Sequence, residues 1–132
     1  MNAELDPIAK FAKAYLDTYK SGDIAARLAL FEDDATFEDP VGKQTLRGHA
    51  ELEVFWDQVD YATSKFVPEL LEVVQCGAEG VFRFTQLISM EGQPSMLFRV
   101  IEVVALAPNG KARALRAFWN DSSVSFPTDH IP

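Results

Sequence analysis

The chain has 132 residues, 48% of them hydrophobic and 24% charged, a size and balance that fit one globular α+β domain over residues 1–132. A formal net charge of -8 leaves no basic stripe to meet phosphates, which excludes nucleic acid and an anionic membrane surface as partners. A single cysteine, Cys76, and two histidines, His49 and His130, exclude an internal disulfide and a zinc-ligand set, so no metal is expected.

The opening stretch MNAELDPIAK is acidic and lacks a signal-peptide core, and no apolar run reaches the length of a membrane span; the cytoplasm is the expected location. LDPIAKFAKAYLDTYKSGD then reads as a helix. Asp6 caps it, Pro7 occupies the first turn, and Ser21-Gly22 ends it. Ile8, Phe11, Ala12, Tyr15, Leu16 and Tyr19 recur at helical spacing on one face. Asp23 caps a short second helix in IAARLALF. ATFE is a brief strand stopped at Asp39-Pro40, because proline drives the residue before it out of helical geometry. RGHAELEVFWDQVDYA reads as a third helix with Leu52, Phe55, Trp56 and Val59 on its buried stripe.

After Ala62 the texture turns to Val, Phe, Leu and Ile. TSKFVPELLEVVQC, GVFRFTQLISM, SMLFRVIEVVALA and KARALRAFWNDSSVSF are separated by the turn signals CGAEG, MEGQP and APNG. Four long antiparallel strands are expected, with Pro68 marking a bulge or an edge in the first. Helices followed by a meander give an α+β domain with three helices on one face of an antiparallel sheet.

Within SMLFRVIEVVALA, Met96, Phe98, Val100, Glu102, Val104 and Leu106 share one face. Glu102 is the only charged side chain in that row. A buried carboxylate is paired, hydrated or protonated, because isolating its charge is costly. Two readings stay open: an ion pair with Arg83, Arg113 or Arg116, or a neutral acid facing an apolar pocket. Asp39 before Pro40 fits an ordinary turn as well as a positioned base. Tyr15, Phe82, Phe84, Phe118 and Trp119 fit an ordinary core as well as a site.

Read together, AYLDTYKSGDIAARLALFEDDATFEDPVG, LRGHAELEVFW, GVFRFTQLISMEGQP, FRVIEVVAL and GKARALRAFW resemble the ketosteroid isomerase family over nearly the whole chain. DDATFEDPVG is the most specific part and is closer to the isomerases than to their looser SnoaL-like and nuclear transport factor 2-like relatives. The resemblance implies a cone of helices over a strongly curved sheet, and a homodimer formed through that sheet. It implies that Asp39 is the general base, that Tyr15 donates to the dienolate oxygen, and that Glu102 stands where the isomerases keep a neutral aspartic acid. It places Phe82, Leu115 and Trp119 on the pocket wall, to which the residue pattern adds Phe55, Trp56 and Val100.

Proton transfer next to a ketone needs a base and oriented donors in a dry site, and no cofactor. The implied ligand is a small apolar, steroid-like ketone. This chain departs from the family in carrying Glu102 for aspartic acid, Trp56 where a tyrosine often supports the oxyanion tyrosine, and Phe31 at a position shared between tyrosine and phenylalanine. Alternative readings are a non-catalytic protein that binds an apolar ligand, and a cyclase or dehydratase of the SnoaL-like kind. The latter often add a histidine, but His49 in RGHA reads as an exposed or capping residue and His130 lies in a tail.

Overall fold

The computed structural model describes residues 6–127 apart from residue 60; His130 lies outside the described residues. Three helices, α1 (Pro7–Ser21), α2 (Ile24–Leu28) and α3 (Gly48–Asp57), pack on a curved sheet. The Asp6 carboxylate accepts from the Ala9 N–H to start α1, and Gly22 closes it in the left-handed region at φ 71°. Asp23 caps α2 in the same way through Ala26. The α3 helix ends at Asp57, so Val59 lies beyond it and is 36% exposed rather than on a buried stripe.

The strands are β1 (Phe31–Glu38), β2 (Leu46–Arg47), β3 (Ser64–Cys76), β4 (Glu79–Met90), β5 (Met96–Leu106), β6 (Ala112–Phe118) and β7 (Val124–Ser125). The sheet runs β2-β1-β6-β5-β4-β3, with β7 added to β5. Pro68 does sit on an edge strand, and a register shift follows between Leu70 and Glu72. Two expectations are corrected. First, the sheet is mixed, because β1 runs parallel to β6 with Phe37 opposite Leu115. A parallel pair needs a long crossover, and a pattern of local meanders gives no sign of it. Second, the last strand stops at Phe118. Asn120 then caps a 3-10 turn (Asp121–Ser123), which turns the chain back so that β7 pairs with β5.

The core joins the inner face of α1 to the concave face of the sheet: Ile8, Phe11, Ala12, Tyr15 and Leu16 meet Phe31, Phe37, Phe82, Val104 and Leu115. Gly80 permits this approach. A Cβ there would lie 2.8 Å from Ile8 carbons and 2.8 Å from the Val74 carbonyl oxygen, closer than real side chains come. His49 is neither free nor a cap. Its Nε2 donates to the Phe31 carbonyl at 2.9 Å and ties the start of α3 to β1.

Candidate active site

The topology assembles the site from four elements. Asp39 follows the last residue of β1, Glu38, which pairs with Arg116 of β6. Val41 N–H donates to the Ala117 carbonyl, and Ala117 in turn pairs with Glu102 of β5. Asp39 and Glu102 are therefore separated by a single strand, roughly 10 Å between backbones. On the next strand Phe82 pairs with Glu102 and packs against the Tyr15 ring at 6.4 Å.

Asp39 is held by Trp119, which lines the same cavity. The Trp119 indole N–H donates to Asp39 Oδ1 at 2.6 Å. Burial raises the Asp39 pKa above the ordinary value, and the Trp119 bond only partly offsets this. The result is a poorly hydrated carboxylate with one oxygen anchored.

Glu102 is 2% exposed, and its Oε1 has no hydrogen-bond partner among the described residues. The three arginines proposed as partners are engaged elsewhere. Arg83 bonds Glu72 at 2.9 Å, Arg116 bonds Glu38 at 2.8 Å, and Arg113 donates to the Leu106 carbonyl at 3.4 Å. Burial, and then the Asp39 charge, push the Glu102 pKa well above the carboxylate range; Arg27 opposes weakly.

Tyr15 is fully buried, and its hydroxyl lies 3.0 Å from that of Tyr19, one helical turn on. Burial, followed by Glu102, raises the Tyr15 pKa well above the phenol value. Tyr19 itself lines the cavity together with Asp39, Glu102, Val100 and Trp119. Trp56 has no hydroxyl to offer, and it is Tyr19 that meets the Tyr15 hydroxyl; Tyr15 itself is not among the residues lining the cavity. Tyr19 reads as ordinary core in the sequence, because its place on the helical stripe says nothing of which side chain meets the cavity.

Behind Tyr19 stands a residue that sequence reading missed. Arg27 is fully buried. It donates from Nε to Thr18 Oγ1 at 2.8 Å and from its terminal nitrogens to Tyr61 Oη at 2.8 Å and the Thr18 carbonyl at 3.2 Å. Its guanidinium carbon sits 3.7 Å from the Tyr19 ring centroid and 5.0 Å from that of Trp56. Burial works against its charge, but the surrounding tyrosines outweigh that and hold its pKa above the usual value. A lone arginine on a short helix normally reads as solvent-facing, and only the fold turns it inward.

The rest of the wall is Phe66, Phe84, Gln86, Ile88 and Phe98, enclosing about 130 Å³. Of the side chains expected on this wall, Val100 and Trp119 line it. Phe82 lies one layer behind, stacked on Phe84 with ring centroids 5.9 Å apart. Leu115 and Trp56 are core residues. Phe55 is corrected: it faces a separate hollow beside Leu46, Ala50 and Val54, because its ring packs on Phe37 of β1 at 5.7 Å. Among the described residues no cluster of His, Cys, Asp and Glu could hold a metal ion, and no helix is long and apolar enough to cross a membrane.

Residues 12–115 match the SnoaL-like domain. The chain belongs to the SnoaL-like family. It is 35% identical over 105 residues to a steroid Delta-isomerase of Nocardioides simplex, covering 80% of this chain and 83% of that protein. RV0760c of Mycobacterium tuberculosis has the same fold at 18% identity, with a TM-score of 0.84 over 96% of this chain and 100% of its own; it has also been solved in complex with estradiol-17β-hemisuccinate. The Δ5-3-ketosteroid isomerase of a Mycobacterium species aligns at 20% identity and a TM-score of 0.80, over 93% of this chain and 100% of its own. This SnoaL-like chain therefore shares its architecture with ketosteroid isomerases.

Proposed function

We propose that the protein is a cofactor-independent isomerase that shifts a carbon–carbon double bond into conjugation with a ketone, acting on a steroid-like substrate. The observation that carries this reading is Glu102: a buried acid with an oxygen left unpartnered among the described residues, on the wall of a cavity that also holds Asp39 and Tyr19. In the reading, Asp39 removes a proton from the carbon between the ketone and the double bond. Negative charge moves to the ketone oxygen. The neutral Glu102 acid and the Tyr19 hydroxyl, which lines the cavity, donate hydrogen bonds to that oxygen, and Tyr15, which lies behind the lining, acts through Tyr19 by donating its own proton to the Tyr19 hydroxyl. Asp39 then returns the same proton to the far carbon of the dienolate, so no proton is gained or lost overall.

The relation to the Nocardioides simplex steroid Delta-isomerase supports the activity, and the steroid ligand of RV0760c supports the ligand class. The cavity is smaller than the few hundred Å³ usual for ligands of this size. In this reading a ring system enters by displacing Phe66 and Phe98, two half-buried side chains of the lining.

The reading includes a homodimer formed through the outer sheet face. Val74, Val81, Ile101 and Phe118 are exposed there, in adjoining registers. Arg99, exposed two residues before Ile101 on the same strand face, donates to the Ser122 carbonyl at 2.6 Å.

The test is rapid mixing with a β,γ-unsaturated 3-ketosteroid, following the absorbance of the conjugated product. Turnover by wild type with loss in Asp39→Asn supports the reading. Saturable binding with no turnover by wild type refutes it in favour of a ligand-binding protein.

A further inference from the structure

The cavity wall carries a second buried polar group that the proposed reaction does not use. Gln86 is 6% exposed and lines the same cavity as Glu102, and its Oε1 has no hydrogen-bond partner among the described residues. Its surroundings explain why. Its register partner on β3 is Pro68 and that on β5 is Phe98. Its same-face neighbours along β4 are Phe84 and Ile88. None of these four side chains can donate a hydrogen bond. A buried amide oxygen left unpaired is costly, and native proteins rarely keep one without a reason.

Gln86 is four residues along β4 from Phe82, the register partner of Glu102. At the rise of an extended strand this separates the two positions by roughly 13 Å. Among the described residues the cavity thus presents two unpaired polar atoms on one apolar wall, the Glu102 and Gln86 Oε1 atoms, with Val100 and Phe84 between them. The first meets the ketone in the proposed reaction.

We infer that Gln86 is a specificity-determining residue that accepts a hydrogen bond from a hydroxyl at the far end of the substrate. This rests on the isomerase reading for the placement of the ketone. It narrows the substrate class to elongated, fused-ring ketones carrying a hydroxyl at the end opposite the ketone. An analogue lacking that hydroxyl leaves the amide unpaired, and hydrogen-bonding sites discriminate strongly against such analogues.

The test is equilibrium binding, read by quenching of tryptophan fluorescence, so that it does not depend on turnover. The probes are two 4-ene-3-ketosteroids, one with a 17β-hydroxyl and one with no oxygen at carbon 17. They are compared on wild type, Gln86→Met and Asp39→Asn. Wild type is expected to favour the hydroxylated probe by about tenfold. Gln86→Met, which nearly keeps the volume and removes the amide, is expected to abolish the preference while still binding the deoxy probe. Asp39→Asn is expected to keep the preference, because the far end is untouched. The inference is overturned if wild type shows no preference, if Gln86→Met keeps it, or if neither probe binds. A preserved preference without catalysis by wild type instead overturns the isomerase reading and leaves the role of Gln86 standing.

Discussion

Replacing Asp39 by asparagine separates chemistry from architecture. The amide oxygen can still accept the Trp119 indole N–H that now reaches Asp39 Oδ1 at 2.6 Å, so the side chain keeps its place. What it loses is basicity. A single positioned base contributes on the order of 10²–10⁴ in rate, equivalent to about 3–5 kcal/mol of barrier. Stability moves the other way. A charge-assisted bond is roughly twice as strong as a neutral one, so the change weakens the Trp119 contact by about 1 kcal/mol. Burial, however, is the larger influence on the Asp39 carboxyl and raises its pKa in spite of that contact, so the fold disfavours its charge. Asparagine removes that charge. The expected outcome is a loss of at least a hundredfold in kcat on a β,γ-unsaturated ketone, with a thermal midpoint equal to or above wild type. Turnover within tenfold of wild type would show that Asp39 is not the base. A clear drop in the midpoint would show that the carboxylate is structural and that the account of its burial is wrong.

Glu102→Gln keeps a neutral donor and is expected to retain far more activity than Glu102→Ala, measured on the same substrate. Because the folded-state pKa of Glu102 is raised, its contribution to stability is fully present below its ordinary value of 4.5 and is lost as pH rises through the folded value. The stability of Glu102→Gln relative to wild type should therefore increase with pH above about 4.5, measured by urea unfolding; a gap that narrows with pH contradicts a neutral Glu102. Arg27→Met should lower unfolding stability by about 2–4 kcal/mol, since Thr18 and Tyr61 lose buried donors, and Arg27→Lys should not restore it, because an ammonium cannot form the same fork. A loss below 1 kcal/mol in Arg27→Met would mean that the cluster is not structurally important. Ile101 is 42% exposed on the outer sheet face, so Ile101→Glu should convert a dimer to a monomer in light scattering without abolishing activity. A wild-type monomer at micromolar concentration contradicts that interface.

The sequence by itself determined whatever depends on neighbours along the chain. Asp6, Pro7 and Gly22 set the limits of α1, since capping and φ preference are local. Alternation in β5 placed Glu102 on an apolar row, because successive residues of a strand face opposite sides. The similarity of FEDPVG to the isomerase base motif singled out Asp39, which on its own reads equally as a turn. Only the tertiary structure decided what surrounds these groups. The parallel pairing of β1 with β6 puts Asp39 one strand from Glu102, and no local pattern encodes a contact across that separation. Whether Glu102 met an arginine depended on where Arg83, Arg113 and Arg116 came to lie, and all three bond elsewhere. Tyr19, Arg27 and Gln86 escaped notice for the same reason. A tyrosine on an apolar stripe, an arginine on a short helix and a glutamine in a strand are unremarkable alone. They acquire roles when distant elements close over them and remove the water that would otherwise satisfy their polar atoms.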